Sequence, residues 1–151
     1  MELVEKLAAI EYIRQLKARY WRAIDSRSWD VWRECFTQDV RFEFPELDSS
    51  SSADEFIPWT MEFLEGSNSI HRGYAPEIEI TSDTMATGIW AFEDRIYWSP
   101  DKPNNSGLAT LQGDGHYHDR YRKEDGKWKI SSTQVVRQRI TTTAHKLSLP
   151  K

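Results

Sequence analysis

The sequence predicts an α+β fold: a cone-shaped barrel of one long N-terminal helix and two short helices packed on a curved, mostly antiparallel sheet. Three observations predict it. The first 25 residues carry a single apolar stripe at helical spacing. Everything after Gly66 reads as long strands separated by short turn signals. The helices come first and most of the strands afterwards, the order of an α+β domain rather than of an alternating α/β one. A long sheet wrapped on one helix leaves a conical hollow, lined by the helix end and by alternate strand positions.

The first helix is expected over residues 3–25. Leu3, Leu7, Ile10, Ile13, Leu16, Tyr20 and Ile24 fall at steps of three and four, and no Gly or Pro interrupts them. Ser28 is placed to cap a second, short helix over 29–36. Residues 40–44 alternate and are strand-like, and Pro45 ends them. The polar loop Asp48–Ser52 is too brief for a domain boundary. Ser52 with Glu55 three residues on forms a capping box that opens a helix over 53–65, with Phe56, Trp59, Phe63 and Leu64 on one face. Pro58 falls inside this window, so the helix kinks there or starts close to it. Strands follow at 69–80, 84–98, 110–123 and 128–141, with turns at Ser82-Asp83 and Glu124-Asp125-Gly126-Lys127. One domain over 1–141 and a C-terminal tail over 142–151 complete the expected organisation.

Bulk properties narrow the function. At 151 residues one domain with a sizeable core is expected. A net charge of −4 gives no broad field for nucleic acid or anionic membranes. The single cysteine, Cys35, excludes an internal disulfide and a multi-cysteine metal site. No stretch approaches the roughly 20 apolar residues of a membrane helix, and the N-terminus lacks a signal-type run, so a cytoplasmic protein is expected. There is no glycine-rich phosphate loop, and no cofactor is expected. Seven Trp, six Tyr and six Phe are enough both to fill a core and to line a pocket for a flat apolar ligand.

The stretch Asn68–Ile80 is the centre of the functional reading. His71 stands just ahead of Gly73 and Pro76 at the opening of a strand. A neutral His is a base of suitable strength at neutral pH, and a carboxylate on one ring nitrogen frees the other to take a proton. Asp25, at the end of the first helix, is the candidate partner. The plainer reading is that Asp25 merely stops the helix and His71 is a satisfied core residue. Tyr20 lies five residues earlier, about 7.5 Å along the axis and about 140° around it. Both can border one cavity only near its wide end. Tyr20 is a candidate hydrogen-bond donor to a leaving hydroxyl or an enolate, or one more core ring. Alternation places Trp90, Phe92, Asp94 and Ile96 on one face. Burial there favours a protonated, donating Asp94; the other reading is an ionised Asp94 paired with Arg137. Arg137 is a candidate for orienting substrate or stabilising negative charge. Trp90, Phe92, Ile96, Tyr117, Phe44 and Trp59 are the candidate substrate-binding walls.

These residues carry a family resemblance along nearly the whole chain. The pattern is Tyr20…Asp25-x-x-x-Trp29-Asp30, His71-x-Gly73, Ala86-Thr-Gly88-x-Trp90, Gly115-x-Tyr117-x-Asp119-x-Tyr121 and Asp125-Gly-x-Trp128-x-Ile130. It resembles the superfamily of cone-shaped α+β barrels that includes scytalone dehydratase, the SnoaL-like polyketide cyclases and nuclear transport factor 2. Within it the sequence is most similar to bile acid 7-alpha-dehydratase. That likeness implies a catalytic set of Tyr20, Asp25, His71, Asp94 and Arg137, with matching surroundings at Pro76-Glu77-Ile78 and Glu93-Asp94-Arg95. Ile24 and Phe44 stand where scytalone dehydratase places tyrosines, so that enzyme's substrate is not carried over. The resemblance implies a cofactor-independent, dehydratase-type lyase acting on a hydrophobic polycyclic or aromatic, steroid-like molecule, in a homo-oligomer with a trimer favoured. An isomerase or cyclase, or a non-catalytic binding module, are the alternatives. His116 and His118 form an H-x-H that can bind metal on a strand. By resemblance Tyr117, Asp119 and Tyr121 take the inward face, so both histidines point out and no metal is expected.

Overall fold

The computed structural model describes residues 1–47 and 50–145. It opens with helix α1 (Leu3–Asp25), as the apolar spacing predicts. Ile13, Leu16, Tyr20 and Ile24 are buried, but Leu3 and Leu7 are 70% and 56% exposed, so the packed face begins only at Ala9. Helix α2 (Trp29–Glu34) stops two residues short of expectation. Strand β1 (Phe36–Glu43) correspondingly starts earlier, because Phe36 pairs with Ile130 and the Ile130 amide bonds the Cys35 carbonyl at 2.8 Å. A single turn and a half of helix has little cooperative stability with which to resist that pairing. Helix α3 (Ala53–Leu64) continues through Pro58. Its expected capping box closes between side chains, Ser52 Oγ to Glu55 Oε1 at 3.1 Å, with no side-chain bond to the backbone.

Four long strands follow: β2 (Ser67–Ile80), β3 (Met85–Trp98), β4 (Leu108–Glu124) and β5 (Lys127–Ala144). The sheet order is β1-β5-β4-β3-β2, with β1 parallel to β5 and every other pair antiparallel. Asp125 and Gly126 both have positive φ, 51° and 76°, the backbone of a tight hairpin turn with the twist of its strands. β5 runs three residues past its expected end: Thr142, Thr143 and Ala144 pair with β4. Those residues expected in a tail therefore belong to the sheet, while 146–151 lie outside the described residues, as do Asp48 and Ser49 of the serine loop.

The sheet is wrapped on α1, and its alternation matches the pleat. On β4, Tyr117, Asp119 and Tyr121 are buried while His118 is exposed and His116 half-buried, as expected from the face assignment. Among the described residues no group of three or more potential ligands is arranged to hold a metal ion, and no helix is long and apolar enough to cross a membrane. Gly73 explains one motif directly. A Cβ there would overlap the Trp21 ring, so only glycine lets α1 approach β2 this closely.

Beneath the rings lies a buried ion pair. Lys17 Nζ sits 2.9 Å from Asp119 Oδ2, and both side chains are fully buried. Burial lowers the Lys17 pKa, against the pull of Asp119. The ammonium also lies 4.1–4.5 Å from the ring centroids of Tyr20, Trp21 and Tyr117. Asp119 further accepts from Tyr121, which accepts from Trp90 Nε1, at 2.8 and 2.9 Å. Removing one charge strands the other in a low-dielectric interior. Lys17→Met is therefore expected to cost about 3–5 kcal/mol in urea unfolding. The double variant Lys17→Met/Asp119→Asn is expected to recover much of that loss.

Candidate active site

Asp25 is the last residue of α1, and β2 is the sheet's edge strand. An edge strand leaves alternate backbone N–H groups without a ladder partner. Asp25 fills that vacancy: its Oδ2 accepts the His71 backbone N–H at 2.8 Å. Its Oδ1 lies 2.7 Å from His71 Nδ1 and accepts the Ser69 hydroxyl at 3.0 Å. Burial pushes the Asp25 pKa up, but the hydrogen bond and charge of His71, its backbone N–H and Ser69 together outweigh it and hold the carboxyl below its ordinary value. Asp25 is thus ionised at neutral pH and can only accept. Nδ1 therefore carries the proton of this hydrogen bond, and in the neutral imidazole the lone pair is on Nε2. The expected pairing of Asp25 and His71 is present in the geometry.

His71 pairs across the ladder with Asp94. Asp94 is 4% exposed and receives Arg137 through two bonds, Nη1–Oδ1 at 3.3 Å and Nη2–Oδ2 at 3.2 Å. Of the two readings of Asp94, the geometry is that of an ion pair. Arg137 Nε also donates to Glu46 Oε1 at 2.7 Å. Burial opposes the Arg137 charge, but Asp94 and Glu46 carry its pKa above the ordinary value. Gly113 lies under this pair; a Cβ there would meet Arg137 Nη1 and stand 2.6 Å from Asp94 Oδ1.

His71, Asp94, Arg137, Glu46, Tyr20 and Tyr117 border one interior cavity of about 50 Å³. Phe44, Trp59 and Ile96, expected as binding walls, close its apolar side. Tyr20 is 1% exposed; burial, then Tyr117 and Asp119, push its pKa well above the ordinary phenol value, so it remains a donor. Two expected wall residues are placed elsewhere. Trp90 packs edge-on against Trp21 with its Nε1 on Tyr121, and Phe92 packs against Tyr117 at 4.7 Å. Both are buried: Trp90 lies under Trp21 of α1, and Phe92 lies between Tyr117 and the Arg137 guanidinium, 5.6 Å from its ring. Asp25 itself stands behind His71, on an outer groove of about 480 Å³ between α1 and β2. The exposed Arg72 reaches within 3.7 Å of Asp25 Oδ2 there. The sequence reading missed Glu46, which belongs to an aperiodic loop, and Ser69, although it shares the face of His71 by simple alternation.

A SnoaL-like domain model matches residues 5–134. The chain belongs to the SnoaL-like domain family. This SnoaL-like protein is 27% identical over 149 residues to a probable cyclase of Gibberella zeae, covering 91% of this chain and 95% of that one. Its fold is similar to that of a putative scytalone dehydratase from Novosphingobium aromaticivorans (TM-score 0.80, 15% identity, 99% of this chain and 100% of the other). It is also similar to a hexachlorocyclohexane dehydrochlorinase (TM-score 0.77, 16% identity, 99% and 98%). These structures share the cone, the long first helix and the mostly antiparallel sheet.

Two outcomes check the geometry. Because the folded-state pKa of Asp25 is depressed, the unfolded chain binds the proton more readily in acid. The stability that Asp25 adds over Asp25→Asn is expected in full above its ordinary value of 3.8, and is lost as pH falls through its lower folded value. Urea unfolding of both proteins across that window measures it. Gly113→Ala is expected to cost about 1–3 kcal/mol by overpacking and to displace Arg137 from Asp94, visible as loss of the Arg137 side-chain N–H signals.

Proposed function

We infer that this SnoaL-like protein is a cofactor-independent carbon–oxygen lyase of dehydratase type, acting on a hydrophobic polycyclic or aromatic small molecule. One observation supports the reading: Asp25 Oδ1 lies 2.7 Å from His71 Nδ1, and His71 borders a cavity together with Asp94, Arg137 and Tyr20. In the reaction, Nε2 takes a proton from carbon next to a carbonyl. The electron pair moves towards the carbonyl oxygen, where Arg137 or Tyr20 stabilises the developing charge. Collapse of that enolate expels a hydroxyl on the next carbon. The His71 imidazolium returns its proton to that hydroxyl while Tyr20 donates a hydrogen bond to it, so water leaves and a conjugated carbon–carbon double bond remains. Asp25 offsets the charge on the imidazolium during the step.

The size of the cavity bears on the substrate. About 50 Å³ holds one or two waters, each of roughly 30 Å³, so a ring system enters by displacing the Phe44–Trp59 wall. That wall supplies flat apolar surface, with Trp59 stacked on Phe63 at 5.2 Å and 5°. Steroid or bile-acid-like molecules are the substrates that the sequence resemblance implies. Eliminations are also the chemistry in the names of the dehydratase and the dehydrochlorinase that share the fold. A second reading is favoured by the name of the cyclase relative: an isomerase or cyclase in which the proton returns to carbon. A non-catalytic binding module is the remaining alternative. We place the protein in the cytoplasm as a homo-oligomer, a trimer by preference. β1 pairs with β5 only as far as Gln134, which leaves that edge of β5 open to a second copy.

The test is a panel of fused-ring and aromatic β-hydroxy ketones incubated with the protein in D2O and read by mass spectrometry. Loss of water is expected, with His71→Ala slower by roughly 10²–10⁴-fold. No loss of water, with the mass raised only by deuterium taken up on carbon, would favour the isomerase instead. Turnover indifferent to His71→Ala and Asp25→Asn would refute both.

A further inference from the structure

Between Asp25 and the start of β2 lies a residue that the chemistry above does not use. Arg27 is a non-glycine residue in the left-handed region, φ 58°. That backbone conformation is unfavourable for an L side chain and persists only where the surroundings hold it. Here the guanidinium holds it. Nη1 donates to the Ile24 carbonyl at 2.8 Å, which also accepts the Arg27 backbone N–H at 3.1 Å, and to Ser69 Oγ at 2.7 Å. Nη2 donates to the Ser67 carbonyl and to Ser67 Oγ, both at 2.9 Å. One side chain therefore clamps the last turn of α1 to the first residues of β2.

The direction of the chain through Ser69 is forced. A guanidinium can only donate, so Ser69 Oγ accepts from Arg27. The hydroxyl has one proton, which goes to Asp25 Oδ1 at 3.0 Å. Oδ1 thus faces inward, held by Ser69 and presented to His71 Nδ1. A second cation lies on the other side: Arg72 Nη1 donates to the His71 carbonyl at 3.0 Å and lies 3.7 Å from Asp25 Oδ2, on an arm 64% exposed in the outer groove. Without the Ser69 hydroxyl, Oδ1 loses one of its two donors, and only the His71 amide and ring hold the carboxylate against Arg72 and the solvent.

We propose that Arg27 and Ser69 are positioning residues that set the His71 tautomer, by holding Asp25 against the outward pull of Arg72. This rests on the dyad reading of the proposed function, but the readout needs no substrate. Long-range ¹H–¹⁵N correlation of the full-length protein at neutral pH reports which ring nitrogen of His71 carries the proton. Wild type is expected in the Nδ1–H form. In Ser69→Ala and in Arg27→Gln the Nε2–H form is expected to rise several-fold, while Ser69→Thr, which keeps the hydroxyl, retains the wild-type pattern. Arg72→Ala placed on Ser69→Ala is expected to recover the Nδ1–H form by removing the competitor. Near-UV circular dichroism separates these effects from misfolding. Ser69→Ala is the safer variant, because it leaves the Arg27 bonds to Ile24 and Ser67 in place. Folded Ser69→Ala and Arg27→Gln proteins with unchanged ring nitrogens would overturn the role of Arg27 and Ser69 and leave the dyad standing. A wild-type ring already in the Nε2–H form would overturn the dyad and this proposal together.

Discussion

The site depends on the close approach of one helix end to one strand edge. α1 ends at Asp25, and β2 is the strand whose outer N–H groups have no neighbour in the sheet. A carboxylate at the end of a helix normally meets the partial negative charge of the last carbonyls, an unfavourable place for it. Here that disadvantage is offset by three donors from β2: the His71 amide, the His71 ring and the Ser69 hydroxyl. The approach itself is possible because Gly73 leaves room for Trp21. The helix, the bare strand edge and the glycine are each ordinary. Their coincidence puts a carboxylate against the ring and the amide of a histidine on a strand.

Charge inside the cone follows one rule, that each interior cation sits against a carboxylate. Lys17 meets Asp119, and Arg137 meets Asp94 and Glu46. Buried pairs of this kind give little net stability, because desolvation consumes most of the Coulomb attraction. They do fix geometry, since each half is costly without the other. The Lys17 pair sets the Tyr20 and Tyr117 rings from behind, through contacts of 4.3 and 4.1 Å to their centroids. The Arg137 pair fixes the polar wall of the cavity opposite the aromatic one. Polar and apolar faces of the cavity are therefore both held by interactions within the protein.

Much of this was legible in the sequence. The span of α1 followed from its periodicity, and the inward set Tyr117, Asp119 and Tyr121 followed by resemblance and agrees with simple alternation along β4. Of the set the resemblance implied, Tyr20, His71, Asp94 and Arg137 border one cavity, and Asp25 stands behind His71. Failures have physical causes. Phe36 reads as helical by local pattern, but a parallel pairing with β5, distant in sequence, claims it. Trp90 and Phe92 share a face with Asp94, yet a face does not say what covers each position along it. Glu46 and Arg27 lie on irregular backbone, where no period exists to place a side chain. Their roles come from contacts spanning 91 residues, from Glu46 to Arg137, and 42 residues, from Arg27 to Ser69.

The most direct test of the account is the ring proton of His71. A hydrogen bond of 2.7 Å to an ionised carboxylate shifts such a proton far downfield and slows its exchange with water. With only four histidines, assignment by substitution is straightforward. The account predicts one downfield ring N–H resonance in the wild-type proton spectrum, lost in both His71→Ala and Asp25→Asn. A spectrum without it, or one in which the resonance survives Asp25→Asn, would contradict the claim that Asp25 orients His71 as a base.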